Sequence, residues 1–177
     1  MKKTFLALLC MATLVAFGAI AACTDDNDDN KNDVPETPAV GYVDLGLPSG
    51  TLWKTINEEG VYNFNSAIAA FGDSMPTKAQ FDELTDQCNW RWNASQKGYD
   101  ITGPNGNAIF MPAAGYVDCV DDWRRVGELG FYWSRSTAFE IEENYAWNLW
   151  FTVSEIDVKN SGFCHHLRVR LVKNQQQ

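Results

Sequence analysis

NYAWNLWFTV, residues 144–153, is the stretch on which the reading of the fold turns. Its odd positions Tyr145, Trp147, Leu149, Phe151 and Val153 are all apolar, and Asn148, Trp150 and Thr152 fall between them. Successive side chains of a strand point to opposite faces. The pattern therefore predicts a strand with the odd set on the core and Asn148 and Trp150 facing outward. Downstream, Leu167, Val169 and Leu171 alternate with Arg168 and Arg170, which predicts a last strand with one wet face.

Upstream of these strands the signals change. TGPNGN (102–107) is a turn between strands expected at 99–102 and 108–111. In MPTKAQFDELTDQC (75–88), Thr77 followed three residues on by Gln80 is a capping box, and Phe81, Leu84 and Cys88 then share one helical face. VYNFNSAIAAF (61–71) suits a short helix capped by Asn63 or Asn65, with Ala67, Ile68 and Phe71 inward. GYVDLGLPSGTLW (41–53) reads as strand, Pro-Ser-Gly turn and strand. Short helices early and antiparallel strands later make an α+β domain.

The chain begins differently. Lys2 and Lys3 precede an apolar run from Phe5 to Ala22 that ends in small residues, the pattern of a secretion signal. Ile20-Ala21-Ala22-Cys23 resembles the bacterial lipobox, which implies cleavage before Cys23 and acylation of its thiol. Residues 23–39 then form an acidic, Asn-rich stretch without a core hydrophobe, expected to be a disordered tether. Counted from Asp25, its acids and amides also fall at calcium-loop spacing. Asn30 stands where that loop needs its glycine and Pro35 interrupts the end, so the solvated tether is the preferred reading. Thr24-Asp25-Asp26 after the cysteine resembles the surface-export signal of Bacteroides-type lipoproteins. The organisation is thus a signal peptide at 1–22, a lipidated cysteine and tether at 23–39, and one domain at 40–177.

Composition narrows the partners. With 45% apolar and 13% aromatic residues the chain carries enough hydrophobe for a real core. A formal net charge of −9, with Arg124-Arg125 as the one basic pair of note, argues against a phosphate backbone as ligand. No nucleic acid and no cofactor are expected.

YVDLGLPSGTLW, MPTKAQFDEL, TGPNGNAIFMPAAGY, GFYWSRST and LRVRLV, in this order between Tyr42 and Val172, resemble the ordered motifs of the Fibrobacter succinogenes major paralogous domain family. That resemblance implies a C-type-lectin-like fold: the first and last strands paired, two helices flanking antiparallel sheets, and a long irregular region carrying the ligand surface. Residues 114–129 would be that region, with Trp123 a candidate contact and Arg124 beside it. The family implies no agreed activity.

Calcium-dependent lectins of this fold use triplets in which carboxylate and amide oxygens bind ion and sugar together. Here the nearest matches are Gly103-Pro104-Asn105 and Trp147-Asn148-Leu149, each without its acidic ligand. Asp118, Asp121 and Asp122 are weak candidates for a different metal site; a solvated loop face is the preferred reading. Trp53, Trp133 and Trp147 fall on inward positions and are expected in the core. Trp90 and Trp92 share one side if CNWRWN is extended, and together with Trp123 and Trp150 they are the indoles available to stack on a sugar.

Formylglycine-generating enzymes share the fold, and their helix motif resembles Met75-Pro76-Thr77 with Phe81, but they need a cysteine pair near the C-terminus where this chain has only Cys164. Cys88, Cys119 and Cys164 fit one disulfide and a spare thiol, or three buried thiols. His165 and His166, adjacent on a strand, point to opposite faces and so cannot grip one ion together. The expectation is a non-enzymatic recognition module in the outer membrane, anchored by the lipid on Cys23 and exposed on the surface. It would bind a glycan or an envelope or host protein through Trp123, Arg124, Asn148, Trp150, Trp90 and Trp92. The alternative is a structural or adhesive subunit of a surface filament, and the lesser one is a formylglycine-generating-like enzyme. If the cysteine carries the lipid, Cys23→Ser abolishes incorporation of labelled palmitate in growing cells and moves the chain from the membrane to the soluble fraction.

Overall fold

The computed structural model describes residues 40–174; the signal peptide, Cys23 and the tether of the sequence reading lie outside them. Eleven strands and two α-helices follow in the order β1 (Tyr42–Asp44), β2 (Thr51–Lys54), α1 (Phe64–Phe71), α2 (Lys78–Gln87), β3 (Asn89–Asn93), β4 (Gly98–Thr102), β5 (Ala108–Pro112), β6 (Tyr116–Val117), β7 (Trp123–Arg124), β8 (Gly130–Thr137), β9 (Tyr145–Phe151), β10 (Ile156–Gly162) and β11 (Val172–Asn174). A 3₁₀ turn, Gly72–Ser74, joins the helices. All named strand pairs are antiparallel, in sheets ordered β1-β2-β11, β10-β9-β8, β3-β4-β5 and β6-β7. The class is α+β.

The helices start where their caps dictate. Asn63 accepts from the Ser66 amide to open α1, and Thr77 and Gln80 close the reciprocal capping box of α2. Phe81 and Leu84 are fully buried, and Phe81 lies against Trp53 of β2 with ring centroids 5.7 Å apart. The same helix is tied to that sheet by polar contacts. Gln80 donates to the buried Thr51 hydroxyl at 3.0 Å, and Glu83 accepts from the amide and hydroxyl of Ser49 in the β1–β2 turn.

β9 is the middle strand of its sheet, and both faces are covered. Leu149 and Phe151 join one apolar cluster with Trp53, Phe81, Tyr99 and Tyr132. Ala146 on the other face joins a second cluster with Phe64, Trp133 and Leu167, against which Trp150 packs. This overturns part of the alternation reading. Asn148 does not face outward: it is fully buried, its amide donates to Ser161 on β10 at 3.0 Å, and its Oδ1 has no partner among the described residues. Trp147, expected in the core, is half-buried, its ring nitrogen donating to Glu140 and Lys78 lying 4.8 Å from its ring. Tyr145 is likewise half-buried, and Val153 lies past the strand end, 59% exposed. Alternation assigns two faces but does not say that one is wet; here helices and neighbouring segments cover both.

β8 shows the same double burial. Phe131 and Trp133 point to the second cluster and Tyr132 to the first. Gly130 opens this strand opposite Phe151, where an added Cβ would sit 1.9 Å from the phenyl ring. No larger residue fits.

The C-terminal strand also departs from expectation. β11 pairs with β2, not with β1, so the chain's first and last strands share a sheet with β2 between them. The preceding residues run along other elements: Leu167 exchanges backbone hydrogen bonds with Tyr62, and Arg168 bonds the outer edge of β8. The expected wet face is missing here. Arg170 is 1% exposed, and its guanidinium donates to Asn57 Oδ1, the Lys54 carbonyl and the Phe110 carbonyl at 2.7–2.8 Å. Asn57 in turn donates to the buried Tyr132 hydroxyl, which donates to the Pro112 carbonyl at 2.6 Å. Removing the guanidinium strands three acceptors at once. Arg170→Met should therefore cost about 3 kcal/mol or more, read as a lowered urea midpoint.

Candidate functional site

Three separate segments surround an open cleft of ≈ 560 Å³: the tip of the β3–β4 hairpin with Trp92, Ala94 and Lys97, the 125–128 turn after β7, and the Thr152–Ser154 turn after β9. Trp92 is half-buried at the wall, and Tyr99 meets its ring edge-on at 5.1 Å. Backbone bonds fix the two sides together: Ala113 donates to the Lys97 carbonyl at 2.8 Å and accepts from the Gly127 amide at 2.7 Å. Gly127 has φ +81 and its Cα faces the Lys97 stem, where an added Cβ would come within 2.9 Å of Cδ. The lysine side chain thus lies across the neighbouring turn.

Charge in the cleft is unevenly satisfied. Arg125 pairs with Glu128 at 3.5 Å, both side chains largely exposed, so the pair is weak. Lys97 has no ion-pair or ring partner among the described residues, whereas Lys54, Lys78 and Lys159 meet acids and Lys173 lies over Tyr42. A second cleft, of ≈ 570 Å³ between α2 and β10, is lined by Lys78, Asp82, Asp86 and Asp157. It has no aromatic wall, and Asp82 already holds its lysine at 2.7 Å.

The candidate residues of the sequence reading are dispersed. Trp90 and Trp92 do share a side, both edge-on to Tyr99 and both packed against the first cluster, but Trp90 also meets Phe151 and its ring nitrogen donates to the Leu84 carbonyl. Trp150 is half-buried beneath Lys159, whose Nζ lies 3.6 Å from the ring centroid. Trp123 is 53% exposed with the Arg168 guanidinium 5.5 Å from its ring. Arg124 is committed to Asp118 and Asp122, at 2.6 and 3.0 Å. Of the six contacts expected, only Trp92 lines the cleft.

Asp118 is a structural carboxylate. Its Oδ1 accepts from the Val120 and Asp122 amides and its Oδ2 from Arg124, and the Arg124 hydrogen bond is the main reason its pKa lies below the usual range. Asp122 shares the same arginine, while Asp121 sits at φ +62 in the turn between β6 and β7. The lectin-like triplets are spent too: Asn105 donates to the Asp44 carbonyl at 2.9 Å, and Asn148 is buried.

Cys119 and Cys164 form a disulfide that joins the β6–β7 turn to the residues after β10. His165 Nδ1 lies 3.6 Å from Cys119 Sγ and 3.1 Å from the Gly162 carbonyl. The three side chains have metal-ligand spacing, but the sulfurs are joined to each other rather than free as thiolates. Among the described residues Cys88 is the free thiol, half-buried where α2 ends.

Sequence reasoning missed Lys97 and the 152–154 turn, whereas Arg125, Gly127 and Glu128 fall inside the 114–129 region expected to carry the ligand surface, without having been singled out there. A signal for Lys97 exists: it sits in the hairpin turn beginning one residue past the strand that carries Trp92. Among the described residues no helix is long and apolar enough to cross a membrane. Residues 40–174 thus form an antiparallel α+β domain with an indole-walled surface cleft. No family model, no curated protein and no solved structure matches it.

Burial, and secondarily the charge of Glu83, push the Cys88 thiol up to about 11. The thiolate is the nucleophile. Alkylation by iodoacetamide should therefore be slow at pH 8 and keep rising with pH up to about 11, followed by mass spectrometry of the native chain.

Proposed function

We propose that this protein is a non-catalytic recognition module of the bacterial cell envelope, held at the outer membrane by a lipid on Cys23, which presents the Trp92 cleft to a glycan. A C-type-lectin-like arrangement of the domain is part of the same proposal, resting on the ordered motifs between Tyr42 and Val172 and on an architecture of two helices with antiparallel sheets. The observation that carries the reading is the cleft itself. An indole braced by Tyr99 stands in an open depression whose other walls are turns from distant parts of the chain. Such a surface suits the flat apolar face of a pyranose, while turns supply polar groups for its hydroxyls.

The reading does not use the calcium-lectin mechanism, because Asn105 and Asn148 are already engaged with the protein. It does not use a thiol either: Cys88 is held protonated and the other pair is oxidised. The filament alternative needs a strand edge open to a partner. β10, one of the edge strands, carries Asp157 and Lys159, which oppose strand addition there.

Trp92→Ala should weaken binding to a glycan-array hit roughly tenfold or more, as expected for an aromatic anchor, while Trp123→Ala and Trp150→Ala leave it within about twofold. Equal losses in all three variants would refute the cleft as the site.

A further inference from the structure

We infer that the cleft selects an acidic saccharide, a chain bearing uronic acid residues, with a sugar carboxylate on Lys97 and Arg125 and the pyranose face on Trp92. This rests on the glycan reading of the same cleft and adds the chemical class of the ligand. The first ground is the state of the cations. Among the described residues Lys97 is the lysine with neither a carboxylate nor a ring for its ammonium, on a chain where 23 acids face 14 bases. On so acidic a chain, proximity to some carboxylate is the default for a lysine. Here it opens instead onto the cleft that holds the indole.

The second ground is how the cations are held. The Lys97 backbone carbonyl is pinned by the Ala113 amide, and its side chain lies across Gly127 with Nζ 3.4 Å from where a Cβ would stand, so the ammonium rests against the 125–128 turn. Both Lys97 and Arg125 sit at φ +53, a region that glycine or asparagine enters more easily. The chain accepts this conformation at two cationic residues that line one cleft.

The third ground is exchange. Arg125 meets Glu128 only through an exposed contact of 3.5 Å, which an incoming carboxylate can replace with little loss. Glu128 then discourages a densely anionic ligand by repulsion. A chain with one carboxylate per sugar satisfies both cations and tolerates that acid; a polyphosphate does not.

The test uses the full chain in mild detergent and isothermal titration calorimetry against oligogalacturonate, oligomannuronate and hyaluronan oligosaccharides. Each is paired with its methyl ester, which keeps the ring and removes the charge, and polyglutamate serves as an anion without sugar. The inference expects at least one uronate to bind about fivefold or more tightly than its ester. Lys97→Gln should narrow that difference to within about twofold, and Trp92→Ala should weaken acid and ester alike. Circular dichroism and thermal midpoints identify any variant that fails to fold; Arg125→Gln then replaces Lys97→Gln as the charge-removing change.

If acid and ester bind equally and Lys97→Gln alters neither, the acidic-sugar inference falls while the glycan cleft survives. If polyglutamate binds as tightly as the uronate and loses affinity in Lys97→Gln, the site reads charge alone and the saccharide assignment falls. Silence against all three uronates, with neutral glycans still bound through Trp92, also overturns the inference. Silence against every saccharide overturns the cleft reading as well.

Discussion

The buried guanidinium of Arg170 is the constraint on which the arrangement of sheets depends. It reaches the end of β2 through the Lys54 carbonyl, the following turn through Asn57, and β5 through the Phe110 carbonyl. Asn57 and Tyr132 extend the chain of bonds to β8 and back to Pro112. Three sheets are thus indexed to one planar cation with donors in fixed directions, which apolar packing alone, being non-directional, does not provide. Burial lowers the pKa of Arg170 and raises that of Tyr132, and each partly offsets the other, since charge on the arginine favours the phenolate. The arginine remains the charged partner, because its free pKa is far above neutral.

What could be read from the sequence was local. The capping box at Thr77 and Gln80 and the turn at 102–107 depend on residues a few positions apart, and each stands where the sequence puts it; at α1 the sequence offered Asn63 or Asn65 and the cap is Asn63. What failed depended on a second layer of cover. Asn148 and Arg170 occupy positions that alternation marks as the opposite face, and that inference was correct. The error was to equate the opposite face with water, when Ser161 in one case and the ends of β2 and β5 in the other lie against it. The pairing of first and last strands came from the family resemblance rather than from the residues, and three residues of strand do not state which neighbour they will pair with.

The site was legible to a lesser degree. Trp92 could be named because a tryptophan with no inward position stands out, but so did Trp90, and only Leu84 and Phe151 in space distinguish the two. Lys97 could be noticed as a hairpin-turn residue beside Trp92, but that it pairs with no acid could not be read, because that depends on where distant carboxylates end up. The turns at 125–128 and 152–154 that meet it are distant in sequence and are brought there by the packing of β8, β9 and the hairpin. Disulfide pairing was equally hidden, since three cysteines allow three pairings and only the approach of the 119 and 164 loops selects one.

The β6–β7 turn is fastened at its root by Cys119, by the Asp118 carboxylate on two amides, and by Arg124. Its outermost side chain, Val120, is left 74% exposed. Shape and sequence are thereby uncoupled at this spot. Substitutions at Val120 carry almost no folding penalty, so descendants of this chain can explore new surface chemistry there while the scaffold beneath stays unchanged.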